Sequence, residues 1–362
     1  MNRATSGGRQ TASEQTAMIT LKHIRAHLLL SGLPLLFQPF YPARLAAAQL
    51  APPQIPDARQ SLDDAWWTGP LLAPNASTLP RGHILIEPYL FDVIATGRFD
   101  SDGGLRTTAH SNGFGSLTYI NYGLADRLTI GMLPVAGLNL VSHGTSSSGV
   151  GLGDLTVQAQ YRLTLFHEGS WLPTTSINVQ ETFPTGKYDR LGSRPSDGLG
   201  SGAYTTTIAF YSQTYFWLPN RRILRARLNL LEALSSSPSV HDVSVYGTQT
   251  GFRGRAYPGS FTLLNAAFEY SVTRNWVLAS DITYRHALNT HVAGYNVLDP
   301  TSMQIPPSIR LNSGSSDAFG LAPAIEYNWT SRVGVIAGVR VFPAGRNTSA
   351  SVTPAVAINI VH

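Results

Sequence analysis

The residue types that could do chemistry occur in two glycine-rich stretches and in scattered histidines. The stretch FPTGKYDRLG (183–192) has the Gly-Lys pair of a phosphate-binding loop, but Tyr188 stands where that loop needs Ser or Thr, and Glu181 replaces its first glycine. GVGLGD (149–154) has its third glycine too early for a dinucleotide loop, and a strand pattern follows instead of a helix. The histidines lack paired ligand spacing, and the chain has no cysteine. The sequence therefore predicts no catalytic residue, no metal site and no cofactor.

The composition is unusual for a soluble domain. Charged residues make up 13% of the chain, against about 25% in ordinary soluble proteins, whereas 43% are hydrophobic. Residues 1–48 hold five of the 26 basic and one of the 21 acidic side chains, so residues 49–362 carry 21 basic and 20 acidic. A nearly neutral chain gives no support for nucleic-acid binding.

The first 48 residues have the pattern of an export signal. A basic stretch (22–25) precedes an apolar stretch (28–37), and small residues precede Gln49, where cleavage is expected. The translation start is open between Met1 and Met18. We therefore expect a signal peptide over 1–48 and export to the cell envelope.

Residues 49–82 are rich in proline and show no sustained periodicity. Two interpretations are open for this segment. It is either a free periplasmic tail or an insertion that fills a lumen, with Trp66 and Trp67 packed inside as plug residues.

From residue 83 onward the chain repeats one unit, in which two alternating apolar–polar runs are joined by a short turn. Short turns then alternate with long polar connections. This pattern predicts an all-β fold over 83–362: a transmembrane antiparallel up-and-down β-barrel with short periplasmic turns and long extracellular loops. Only a closed barrel can present such a sheet to lipid without leaving backbone groups unpaired. About twelve strands are predicted, at 83–97, 114–123, 126–137, 152–165, 171–184, 203–217, 222–235, 262–272, 275–287, 317–329, 331–343 and 350–361.

Aromatic residues gather near the short turns. Such clustering is typical of a membrane interface, whereas a soluble β-sandwich, the alternative fold, would not require it. The predicted periplasmic girdle consists of Tyr122, Tyr161, Trp171, Trp217, Tyr270, Trp276, Tyr327 and Trp329.

The side-chain alternation also predicts which polar residues face the lumen. They form either a charge-lined pore that selects solutes or a set of cross-strand ion pairs in a narrow interior. The lumen-lining candidates are Glu87, Arg162, Arg225, Arg227, Asn229, Glu269, Asp281, Arg285, Glu326 and Arg340.

Three stretches resemble a known family. They are WWTGPLLAPNASTLPRGHILIEPYLFDV (66–93), GVGLGDLTVQAQYRL (149–163) and ETFPTGKYD (181–189), the last followed by DGLGSG. They resemble the outer-membrane β-barrel family named after the MetA pathway of phenol degradation, from about Trp66 to the C-terminus. The resemblance implies a transporter of the Gram-negative outer membrane, linked to aromatic or hydrophobic compounds.

The sequence therefore leaves three functions open. The preferred one is a porin-like channel for passive transport of a small solute across the bacterial outer membrane. The alternative is a structural or surface barrel with a closed lumen. The third is a lipid hydrolase, because AHSNGFG (109–115) is close to the H-x-S-N-G pattern of outer membrane phospholipase A, but the adjacent His110 and Ser111 would point to opposite faces of a strand. The expected partners are outer-membrane lipid, lipopolysaccharide, the barrel-assembly machinery and the solute.

Overall fold

A computed structural model describes residues 59–297 and 307–362 of the chain. The predicted signal peptide and the first residues of the Pro-rich segment lie outside these ranges. Nineteen strands and two 3-10 turns, Leu62–Asp64 and Pro195–Asp197, make up the described secondary structure. In chain order the strands are β1 (Ile84–Phe99), β2 (Leu105–Arg106), β3 (Ser111–Ala125), β4 (Leu128–Leu133), β5 (Val135–Val141), β6 (Gly151–Leu152), β7 (Leu155–Thr164), β8 (Thr174–Phe183), β9 (Thr205–Trp217), β10 (Ile223–Ser235), β11 (Ser239–His241), β12 (Phe252–Tyr257), β13 (Phe261–Ser271), β14 (Trp276–Ala287), β15 (His291–Asn296), β16 (Ser308–Asn312), β17 (Ser316–Asn328), β18 (Val333–Arg346) and β19 (Thr348–Val361).

The main sheet closes on itself as a twelve-stranded antiparallel barrel. Closure comes from β1, which pairs with β19 on one side and with β3 on the other. β4 and β5 form one barrel strand, because β3 pairs with both of them. Pro134 separates the two, since proline has no N–H to donate to the ladder. The predicted fold class and strand number are confirmed.

The observed strands differ from the predicted ones by a few residues at their ends. The largest difference is in the barrel strand formed by β4 and β5, which continues to Val141 instead of ending at residue 137. Both ends of the barrel sequence lie at the short-turn end, where the N–H of Ile84 donates to the carbonyl of His362 at 2.9 Å. In an outer-membrane barrel this is the periplasmic end.

Two of the predicted polar loops contain a second sheet, which corrects the sequence interpretation of residues 236–260 and 288–316. Strands β11, β12, β15 and β16 pair in that order at the long-loop end. Val240, Phe252, Ala256 and Val292 form its buried core. Its strands are short and interrupted by glycine, so the alternation of apolar and polar residues in them is hard to distinguish from the irregular pattern of a loop.

The outer face of the barrel is apolar, as contact with lipid requires. Leu228, Leu278 and Ile325 are about half exposed there. Of the predicted girdle, Trp276, Tyr327 and Trp329 pack as one group on this face, with ring centroids 4.7 and 5.4 Å apart. Tyr122, Tyr161 and Trp171 are also exposed, and the outward-facing Tyr270 accepts a hydrogen bond from the side-chain amide of Asn220 at 2.7 Å.

Trp217 does not belong to the girdle, which corrects the sequence prediction. The exposed neighbour Phe216 faces outward, so strand alternation turns Trp217 inward. There its indole N–H donates to the carbonyl of Gln60 at 2.8 Å.

The stretch FPTGKYDRLG leaves the sheet at the long-loop end, directly after β8. Asp154 accepts the N–H of Gly186 at 2.9 Å and that of Ser201 at 2.7 Å, so it holds both ends of the loop. Lys187 is exposed on that loop. Within the described ranges the helical segments are single 3-10 turns, and none of them could span a bilayer.

Candidate functional site

The described part of the Pro-rich segment, residues 59–82, lies against the inner wall of the barrel; we call it the N-terminal segment. It begins at the short-turn end, where Gln60 donates to the Ser271 hydroxyl at 2.7 Å and accepts from the N–H of Ile223 at 3.2 Å. It returns to that end at Leu79, whose N–H donates to the Thr129 hydroxyl at 2.8 Å. The segment therefore enters and leaves the lumen from the periplasmic side.

Two wall carboxylates bind the backbone of this segment. Glu326 accepts the N–H of Thr68 at 2.7 Å and that of Gly69 at 3.2 Å. Asp281 accepts the N–H groups of Leu72 at 3.2 Å and Ala73 at 2.9 Å. Gly69 has a φ of +126°, a conformation that side chains other than glycine rarely adopt. These four hydrogen bonds hold the backbone of the segment in register on the wall.

Wall donors and apolar side chains complete the attachment. The guanidinium of Arg227 donates to the carbonyl of Ala73 at 2.7 Å, and the amide of Asn229 donates to the carbonyl of Pro74 at 3.0 Å. Leu71 is buried against Ala322, Ile336 and Ala357. The segment therefore combines a small apolar core with polar contacts.

The two tryptophans proposed as plug residues both contact the barrel. The guanidinium of Arg225 lies 4.5 Å from the ring centre of Trp67. Trp66 lies nearer the short-turn end, where its N–H donates to the carbonyl of Arg274 at 3.2 Å. Only Trp67 therefore stacks on a charged residue of the predicted lumen set.

The basic residues of β10 share one acidic partner on β13. Arg225 donates its Nε to Glu269 at 2.7 Å, and a second guanidinium nitrogen of Arg225 also contacts that carboxylate. The Nε of Arg227 lies 3.1 Å from the same carboxylate. All three side chains are almost completely buried, so this cluster belongs to the packing of the interior rather than to an open pore wall.

The N-terminal segment leaves space on the side of the lumen formed by β1, β3, β4 and β7. A small cavity of about 140 Å³ lies beside the segment and is lined by polar wall residues such as Asn121, Gln158, Gln160 and Glu87. We call it the polar passage.

A second cavity, of about 270 Å³, shares Leu71, Leu72, Tyr89 and Tyr119 with the polar passage. Its other walls include Phe91, Leu117 and Val135, so it is mainly apolar, and we call it the apolar chamber. A third cavity of about 540 Å³ shares Phe91 and Val135 with the chamber and reaches the loop at Pro195. These three cavities form a row from the long-loop end towards the short turns.

The ten lumen candidates all have inward positions in the strand alternation, but they do not form one site. Arg225, Arg227 and Glu269 pair together, whereas Asp281, Glu326 and Asn229 contact the N-terminal segment. Glu87 lines the polar passage and Arg340 lines the apolar chamber. Arg285 stacks on Phe261 with 4.1 Å between guanidinium and ring centre, and neither Arg285 nor Arg162 has a carboxylate partner among the described residues.

Sequence reasoning missed the uncharged residues that contact the segment or line the cavities. Gln60, Thr129, Gln160 and Tyr119 are examples. The last three share inward parity with the predicted charged residues, so alternation alone could have found them. The described residues contain no group of three or more acidic or histidine side chains that could hold a metal ion.

Ser111 is the first residue of β3, and His110 directly precedes it. The carbonyl of His110 accepts the hydroxyl of Ser142 at 2.8 Å, and the described residues show no contact between the His110 and Ser111 side chains. Neighbouring positions on a strand point to opposite faces. The geometry therefore offers no assembled catalytic dyad at this position.

Comparison with known proteins gives one family match. The sequence model of the family described as "Putative MetA-pathway of phenol degradation" matches residues 89–223. The resemblance is confirmed over this range. The chain matches no curated protein.

Among solved structures, the COG4313 outer membrane channel from Pseudomonas putida F1 is similar in fold. It has a TM-score of 0.59 at 16% identity, and the alignment covers 80% of this chain and 98% of that one. The toluene transporter TodX of P. putida is more distant, with a TM-score of 0.37 at 12% identity over 82% of this chain and 95% of its own. Both are named as a channel or transporter rather than as an enzyme. The fold is that of a bacterial outer-membrane barrel, in agreement with the predicted location.

Proposed function

We propose that this protein is an outer-membrane channel for passive transport of a small, largely apolar solute. The observation that supports this most strongly is the row of three adjoining cavities beside the N-terminal segment. The cavities change from mainly apolar near the extracellular end to polar near the periplasm. A solute of mixed character could move along such a row without the barrel opening fully.

The family match and the printed names of the similar structures support the same solute class. The family is described by phenol degradation, and TodX is named as a toluene transporter. Aromatic or hydrophobic compounds of low mass are therefore the first solutes to test.

Ion current through single molecules in planar lipid bilayers tests this function. We expect small, steady conductance steps from the intact protein. A neutral aromatic alcohol such as 4-phenylbutan-1-ol should lower the current as it occupies the apolar chamber. An absence of steps in repeated insertions would contradict the channel.

The N-terminal segment itself favours a second candidate, a barrel with a closed lumen and a structural role at the cell surface. Glu326 and Asp281 each bind two backbone N–H groups of the segment, which would hold it firmly in place. The same bilayer recording separates the candidates, because a closed lumen passes no ions.

We propose that the protein is not an enzyme. The separation of the His110 and Ser111 side chains by strand alternation supports this. Purified protein and its Ser111→Ala variant should both leave phospholipid vesicles intact. Hydrolysis by the unaltered protein that Ser111→Ala abolishes would restore the hydrolase hypothesis.

Lipopolysaccharide and the barrel-assembly machinery remain proposed partners. Arg255 and Arg310 support the first, because both are exposed on the second sheet and flank Ala293. Replacing both by Gln should weaken binding of purified lipopolysaccharide, and unchanged binding would exclude this surface. Depletion of the assembly machinery should lower the amount of folded barrel in the membrane, whereas an unchanged amount would contradict that partner.

A further inference from the structure

Arg340 is one of the inner-wall arginines that have no carboxylate partner among the described residues. Arg340 on β18 makes no hydrogen bond or ion pair with another described residue, and its Nε is fully enclosed. Its guanidinium lies 5.0 Å from the ring centre of Phe342. Because arginine stays charged at any ordinary pH, a partly buried guanidinium without a counter-charge is costly unless a ligand or water pairs with it.

The hydroxyl of Thr353 belongs to the residue directly opposite Arg340 on the neighbouring strand. Thr353 is the cross-strand neighbour of Arg340 and is only 4% exposed, and its Oγ1 also has no partner. Both residues line the apolar chamber. The chamber therefore has one polar corner, which offers a charged donor and a hydroxyl, and otherwise mainly apolar walls.

The nearest wall carboxylates bind the N-terminal segment and form no ion pair with Arg340. Asp281 is two strands away on β14 and accepts the N–H groups of Leu72 and Ala73. Glu326 on the adjacent β17 accepts those of Thr68 and Gly69. Both carboxylates thus bind the N-terminal segment, and neither forms an ion pair with Arg340.

We propose that the apolar chamber binds an amphipathic carboxylate, which rests on the proposed channel function and names its substrate class. The carboxylate pairs with the guanidinium fork of Arg340 and accepts the Thr353 hydroxyl, while an aromatic or short aliphatic body packs on Phe91, Leu117 and Val135. At about 270 Å³ the chamber lies just below the range of about 300–1,000 Å³ typical of small-molecule sites. It therefore suits an acid with one ring or a short chain.

The test uses two ligands of the same size and body, 4-phenylbutyrate and the neutral 4-phenylbutan-1-ol. Binding of each to the full protein in lipid nanodiscs is measured by calorimetry. The unaltered protein should bind the carboxylate at least tenfold more tightly than the alcohol, because a hydrogen bond to a charged group is stronger than one to a neutral hydroxyl. In Arg340→Gln the preference for the carboxylate should fall to the fewfold contribution of the Thr353 hydroxyl.

Arg285→Gln is the matched control, because Arg285 also faces inward without a carboxylate partner but does not line the chamber. It should leave both affinities unchanged. Thr353→Val keeps the shape of its side chain and should weaken only the carboxylate, by a fewfold, which also covers the case in which Arg340→Gln fails to fold.

Equal affinity of the unaltered protein for the two ligands, or a loss that Arg285→Gln reproduces, would overturn the proposal. Binding and transport are separable here. Carboxylate binding without conductance would support the binding site but contradict the channel function. Conductance without selective binding would contradict only the binding site.

Discussion

The charged residues of the inner wall differ in what pairs with them. Arg225 and Arg227 pair with Glu269, and Asp281 and Glu326 bind backbone groups of the N-terminal segment. Most of these charges are therefore satisfied within the protein. Of the two hypotheses that the sequence left open, the geometry favours internal ion pairing for the cluster around Glu269.

This interpretation predicts that Arg225→Ala lowers stability more than it changes ion selectivity. Removing one arginine leaves Glu269 undercompensated in a buried position, and breaking a buried pair in this way costs about 3–5 kcal/mol. The temperature at which the barrel loses its folded migration in electrophoresis should fall clearly. Arg285→Ala, which breaks no ion pair among the described residues, should change it little. Altered selectivity at unchanged stability would favour the pore-selectivity hypothesis instead.

A substitution at Gly123 tests whether the end of the N-terminal segment lies where the structure places it. A Cβ at this position would lie 2.0 Å from the carbonyl oxygen of Pro80, so a larger residue must displace the end of the N-terminal segment. Gly123→Val should therefore raise single-channel conductance. Gly149→Ala is the control, because no heavy atom lies within 4 Å of its added Cβ. Equal conductance in Gly123→Val and the unaltered protein would mean that the segment does not obstruct the lumen.

Whether an individual residue faces the lumen or the lipid could be predicted, because side chains alternate along a strand with a period of two residues. Residue type alone places Trp217 in the girdle, whereas its parity with Phe216 gives the inward position that the structure shows. The partners of the wall charges could not be predicted. Thr68 and Glu326 are far apart in sequence, and no local pattern links a Pro-rich segment to a carboxylate across the barrel.

At the scale of elements, the second sheet is the main addition to the predicted fold. Its strand β11 is joined to the loop after β8, where the N–H of Arg190 donates to the carbonyl of His241 at 3.1 Å. Asp242 stands at the turn after β11 and accepts the N–H of Gly251 at 3.0 Å. The loops after β8 and β10 therefore pack against each other instead of forming separate connections.

This sheet should loosen in acid. The N–H of Gly251, together with Arg253, lowers the pKa of Asp242 below its ordinary value of 3.8. A lowered pKa means that the stabilisation is present above the unfolded-state pKa and is lost as the pH falls through the lower, folded-state value. The protection factors of amide hydrogen exchange in β11 and β12, which correct for the intrinsic pH dependence of exchange, should thus be higher at pH 7 than below about pH 3.8.

Asp242→Asn is the control for this pH dependence. It should exchange faster at pH 7 and respond less to acid than the unaltered protein. An identical acid response of the variant and the unaltered protein would contradict a role for Asp242.

At the scale of the whole molecule, the barrel has an intermediate size. Eight-stranded barrels are filled by side chains, whereas barrels of 16–18 strands leave an aqueous channel. Twelve strands leave room for an inserted segment and the cavities beside it. Strand number and topology followed from the strict alternation of short and long connections, but the content of the lumen did not, because residues 49–82 carry no periodic signal.

We propose that this barrel is a channel whose lumen is narrowed by its own N-terminal segment. Single-channel conductance of the chain from Gln49 onward, with and without residues 49–80, tests it most directly. In a protein that still shows folded-barrel migration, the deletion should raise conductance severalfold, because the contacts at Glu326 and Asp281 disappear and the cavities merge. Unchanged conductance in the folded deletion variant would contradict the claim.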